Sequence, residues 1–85
     1  MIDVKKAADI SAEYLKQFFP EATKVQLEEV ELTDDKKFWN ITLSYEGDDL
    51  STTSFVILNR QRKFKVFRVE ADSGTVLSMK IRELK

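Results

Sequence analysis

Asp72-Ser73-Gly74-Thr75 is the stretch of this chain whose residue types match a catalytic signature. In an Asp-(Ser/Thr)-Gly sequence the carboxylate sits on a turn, and two such carboxylates sharing a proton activate water for peptide hydrolysis. Only eleven residues follow Gly74, which leaves no room for a flap and a second strand layer. A β-hairpin asks for the same residues, because Gly74 can take φ > 0 and Asp72 can hydrogen-bond its own turn backbone. We therefore read Asp72 as a turn residue.

Two acidic pairs, Asp34-Asp35 and Asp48-Asp49, invite a calcium reading. Neither has the alternating oxygen ligands of a calcium loop, and adjacent acids on a turn are solvated. Arg60, Arg62, Lys63, Lys65 and Arg68, interleaved with Phe64 and Phe67, have the mixture of charge and aromatic surface found where single strands of nucleic acid bind. Strand alternation divides them, with Phe64, Val66 and Arg68 on one face and Lys65, Phe67 and Val69 on the other. With a sequence pI of about 5.4, no nucleic-acid partner is expected. Cysteine and histidine are both absent, which excludes Ser-His-Asp and Cys-His catalysis and the common zinc and copper sites. No catalytic, cofactor or metal residue follows, and the chain reads as a non-enzyme.

These residues must be positioned by a single small domain, because 85 residues with 42% hydrophobic and 34% charged content form one core. Asp3 can cap a helix running to about Phe18. Val4, Ala7, Ala8, Ser11, Leu15 and Phe18, widened by Ile10 and Tyr14, form its apolar stripe. Pro20 ends it. From Lys24 the period changes to two. Val25 and Leu27 have one parity and Val30 and Leu32 the other, so a bulge near Glu28-Glu29 keeps all four facing the core. Thr33 to Lys37 is a polar turn. Trp39, Ile41, Leu43 and Tyr45 then alternate with Asn40, Thr42 and Ser44 in the clearest strand of the chain. A further strand is expected over Leu50 to Leu58, another over Phe64 to Ala71, and a last one from Thr75 to Leu84 with Leu77, Met79 and Ile81 inward. The fold class is α+β: one N-terminal helix packed on a curled antiparallel sheet of four to five strands.

Charge is unevenly distributed. Residues 1–49 carry six cations and twelve anions, a net −6, whereas residues 50–85 carry eight cations and three anions, a net +5. Pairing of the halves within the sheet neutralises most of this, and a dipolar surface for a partner is the alternative.

The helix followed by Phe19-Pro20-Glu21-Ala22-Thr23-Lys24-Val25, the Trp39 strand, and the segment from Val66 through Phe67, Asp72, Ser73 and Gly74 to Leu77 together resemble PepSY-type domains. The resemblance spans most of the chain and implies a non-catalytic α+β domain of cystatin-like layout. It also implies the settings of that family, which are peptidase propeptides and extracytoplasmic bacterial proteins, and hence a role in binding or modulating a peptidase. No catalytic residue is carried over.

The expected function is a protein-interaction or regulatory module. Phe55 to Leu58 is apolar on both faces, and one helix cannot cover both sides of such a sheet. Phe38, Val56, Leu58, Lys65, Phe67 and Arg68 are therefore the expected partner-binding residues on the face away from the helix, with a protein partner or a second copy as occupant. The alternative is a small-ligand site between helix and sheet lined by Tyr14, Phe18, Trp39 and Tyr45. No stretch is long and apolar enough to cross a bilayer. The opening residues lack an apolar run behind a basic start, so the expected location is the cytoplasm, or outside it if a signal segment has been removed.

Overall fold

Asp3 starts the helix in the expected way. Its backbone is extended, and its carboxylate accepts a hydrogen bond from Lys6 N at 2.8 Å, satisfying one of the donors a helix start leaves unpaired. The computed structural model of the chain describes residues 1–47 and 62–82. Helix α1 spans Val4–Phe18. It stops where Pro20 disfavours helical geometry at Phe19, whose N–H closes the last turn on Leu15 O at 2.8 Å.

Among the described residues four strands follow: β1 (Thr23–Leu32), β2 (Phe38–Glu46), β3 (Lys63–Glu70) and β4 (Val76–Ile81). All neighbours are antiparallel, and the order in the sheet is β1-β2-β3-β4. One helix packed on a four-stranded antiparallel sheet is the α+β architecture that the change of hydrophobic period implies. The strand expected over Leu50 to Leu58 lies outside the described residues.

The expected bulge in β1 is present. Leu27 pairs with Leu43 and Glu29 with Thr42, so the register shifts at Glu28 and returns Val30 and Leu32 to the helix side. A second irregularity lies between Thr23 and Gln26, where Lys24 has φ of 53°.

The core is built from Ala7 and Leu15 of α1, Ile41, Leu43 and Tyr45 of β2, Phe67 and Val69 of β3, and Ala22, all buried. Small residues on the helix, Ala7 and Ser11, let α1 approach β2 closely, and Ser11 Oγ donates to Ala7 O at 2.9 Å. Trp39 is half-buried at the start of β2, and its Nε1 donates to Ile2 O at 3.2 Å. Phe19, beyond the helix C-terminus, packs on Tyr45 near the end of the same strand with ring centroids 6.0 Å apart. The 15-residue helix is about 22 Å long, close to the roughly 20 Å that six steps of strand cover between Trp39 and Tyr45. Thus α1 runs along β2.

Three residues expected to face inward do not lie in the core. Leu27 stands opposite Leu43 on the edge strand β1 but is 50% exposed. At β4 the register shifts between Arg68-Ser78 and Val69-Val76, so Leu77 is the extra residue of a bulge and is 51% exposed. Ile81 points to the helix side but lies beyond its cover at 73% exposure. At the helix ends, Val4 and Phe18 are likewise exposed.

Candidate interaction surface

The face of the sheet away from the helix is polar over β1 and β2, and Phe38, Phe64 and Val66 stand half-buried on the same face. Asn40, Thr42 and Ser44 of β2 lie there beside Glu28, Glu29 and Glu31 of β1. Arg62 donates through Nε to Ser44 Oγ (3.0 Å), through Nη1 to Glu46 Oε2 (3.3 Å) and through Nη2 to Lys24 O. Ser44 Oγ in turn donates to Glu28 Oε2 at 2.5 Å. Arg82 reaches back over the sheet to Thr42 Oγ1 (2.9 Å) and Glu29 Oε1 (2.7 Å). Ser44 and Thr42 are buried beneath these side chains, and among the described residues no buried side-chain polar atom lacks a partner. Arg62 and Arg82 of the basic second half thus each meet a carboxylate of the acidic first half, Glu46 and Glu29, across strands. Glu29 is held below the usual carboxylate range by its hydrogen bond and ion pair with Arg82, and Arg82 is raised by the same contacts.

The six expected partner-binding residues do not form one surface. Phe38 and Arg68 are brought together on the outer face, with the guanidinium carbon 4.6 Å from the ring centroid. Phe67 is not outward at all: it is fully buried, opposite Ile41 and Met79 and edge-on to Tyr14 at 6.2 Å. Its parity is opposite to Phe64 and Val66, as expected, but that parity is the helix side. Lys65 shares it and lies between Leu43 and Ile81. Val56 and Leu58 lie outside the described residues.

The residues proposed to line a small-ligand site are also spread apart. Trp39 and Tyr45 stand near opposite ends of β2 with Ile41 and Leu43 between them, and the space beneath α1 is filled by Ala7, Ser11 and Leu15.

Of the acidic turn motifs, Asp34-Asp35 and Asp72 lie in their own hairpin loops, and Asp48-Asp49 lies outside the described residues. Asp35 Oδ1 accepts from Thr33 Oγ1 (2.6 Å) and Lys37 N (3.0 Å), which lowers the Asp35 pKa and holds the hairpin between β1 and β2. Asp72 is exposed at the tip of the β3–β4 turn, where Ser73 makes the local bonds, accepting from Thr75 N at 3.1 Å and donating to Glu70 Oε1 at 2.7 Å. Among the described residues no group of three or more acids is placed to hold a metal ion.

An uncovered apolar region does exist, but on the helix side. A helix about 10 Å wide cannot span four strands whose outer axes are about 14 Å apart. Since α1 follows β2, the helix-side surface of β4 is left open at its Ile81 end, while Val76 and Met79 pack against the core. Phe18 (57% exposed) stacks on Tyr14 at 4.9 Å, and Tyr14 meets Phe67 on the sheet. Across the gap stands Ile81. Lys65 is the strand partner of Ile81 on β3, and its Nζ lies 5.1 Å from the Phe19 ring centroid. Burial and the neighbouring Lys63 lower the Lys65 pKa. Among the described residues Lys65 has no carboxylate within ion-pair distance. This trough was missed in the sequence because it depends on where the helix lies. The one signal for it was Ile81, an apolar residue continuing the strand pattern beyond the reach of the helix.

No protein-family model, curated protein or solved structure matches the chain.

Proposed function

We propose that this chain is a non-catalytic protein-interaction module, and that its contact surface is the helix-side trough between Phe18 and Ile81. The observation that carries this reading is the exposure of both residues, 57% and 73%, on either side of a sheet surface the helix leaves open. Contiguous apolar area of this kind marks contact sites in soluble domains. The β1–β2 part of the outer face offers less to a partner, because Arg62 and Arg82 there already pair with Glu46 and Glu29. The helix-plus-meander order agrees with the layout implied by the likeness to PepSY-type domains, and a role in modulating a peptidase rests on that likeness alone.

Position-specific photo-crosslinking tests the reading. With p-benzoylphenylalanine in place of Ile81, the full chain expressed in cells is expected to yield a discrete protein adduct. The same group in place of Lys5, on the exposed side of α1, is expected to yield none. Equal adducts at both positions, or none at Ile81, would overturn the proposal.

A further inference from the structure

Lys65 gives the trough a chemical preference. Lys65 is half-buried between its strand partners Leu43 and Ile81, with its ammonium group over the Phe19 ring, and Lys63, two residues away on the same face, adds a second positive charge. Three cations of the outer face are treated differently: Arg62, Arg82 and Lys24 each have a carboxylate at 2.7 to 3.7 Å, whereas the exposed Arg68 lies over the Phe38 ring. A partly desolvated cation that, among the described residues, has only an aromatic ring for company is poorly compensated, and an incoming carboxylate would supply what it lacks. The apolar walls at Phe18 and Ile81 ask at the same time for an aliphatic or aromatic side chain.

We infer that the trough binds a peptide segment of a partner protein in which an acidic residue lies close to a large apolar one. The apolar side chain occupies the gap between Phe18 and Ile81, and the carboxylate pairs with the Lys65 ammonium. This rests on the reading of the trough as the contact surface and adds the class of occupant. Charge complementarity decides it, since a basic or purely apolar segment would leave Lys65 repelled or unpaired. The lowered Lys65 pKa agrees with a cation that gains from such a partner.

Selection from a random twelve-residue peptide library displayed on phage, using the immobilised full chain, tests both levels. Wild type is expected to enrich peptides carrying Asp or Glu next to Leu, Ile, Phe or Val. Lys65→Glu is expected to shift the enriched charge from acidic to basic, and Lys65→Gln to weaken a synthetic wild-type-selected peptide by about tenfold. Circular dichroism and melting of the free variants should match wild type, because among the described residues Lys65 has no ion-pair partner to lose. Failure to enrich any peptide, or enrichment unaffected by Ile81→Asp, would overturn the trough as the contact surface. Enrichment lost in Ile81→Asp but unchanged in charge preference by Lys65→Glu would overturn the acidic occupant alone. A wild-type dimer in light scattering that Ile81→Asp dissolves would replace the peptide by a second copy of the chain.

Discussion

Arg82 Nη1 lies 2.7 Å from Glu29 Oε1, joining the residue that follows β4 to the strand at the opposite edge of the sheet. The bond crosses the outer face over β2, where Arg82 also meets Thr42. Both partners are near the surface, so the pair orients the two edges more than it stabilises them. Its consequence is a dependence on pH. Glu29 is lowered in the folded chain, so its contribution is present above the ordinary glutamate pKa and lost as pH falls through the lower folded value. Asp35, lowered by Thr33 and the Lys37 amide, has the same sign. The melting temperature of wild type should therefore decline below about pH 4.3. In Glu29→Gln the decline should be shallower and start from a lower value at pH 7. Identical profiles for the two proteins would show that the pair carries no linkage.

Phe67 illustrates what the sequence leaves open. Both faces of β3 carry apolar residues, Phe64 and Val66 on one and Phe67 and Val69 on the other, so alternation alone does not tell which face meets the helix. Register decides it, through the pairing of Phe67 with Ile41. Ala71, buried and of the same parity, is the local hint. The helix, its cap and stop, the β1 bulge and the Trp39 strand were legible because each is set by near neighbours in the chain. The trough was not, since its existence depends on a helix lying along β2 rather than across the whole sheet. As a fully buried side chain, Phe67 replaced by Ala should cost about 3–5 kcal/mol, a large share of the stability of so small a domain. Urea unfolding measures it, and a loss below about 1 kcal/mol would contradict the core position.

Trp39 is tied to the N-terminal segment as well as packed against the core. Its indole donates to Ile2 O, and Ile2 N donates to Ala71 O at 2.7 Å, so the start of the chain is held between β2 and the β3–β4 turn. Trp39→Phe keeps an aromatic ring and removes the donor. It should destabilise by about 0.5–1.5 kcal/mol for the hydrogen bond, and amide exchange at Ile2 should accelerate. Unchanged exchange at Ile2 would mean that the indole does not hold this segment.

Gly74 and Lys36 occupy the same backbone region in two different hairpins, with φ of 75° and 62°. Only the first carries the residue suited to it. A Cβ at Gly74 would also stand 3.0 Å from Ile10 Cδ1, although the flexible end of that side chain can give way. The strain is therefore mainly in the backbone, and Gly74→Val should destabilise by more than about 1 kcal/mol, with Gly74→Asn milder. At Lys36 the direction reverses. A side chain already bears the left-handed conformation there, in a turn fixed by Thr33 and Asp35, and the residue is exposed with no packing to lose. Lys36→Gly relieves the Cβ conflict but adds freedom to the unfolded chain, so a net gain of about 0.5–1 kcal/mol is expected. Thermal melting of the two glycine-exchange variants side by side checks the pair. A drop in melting temperature for Lys36→Gly would show that the lysine backbone is unstrained in its turn.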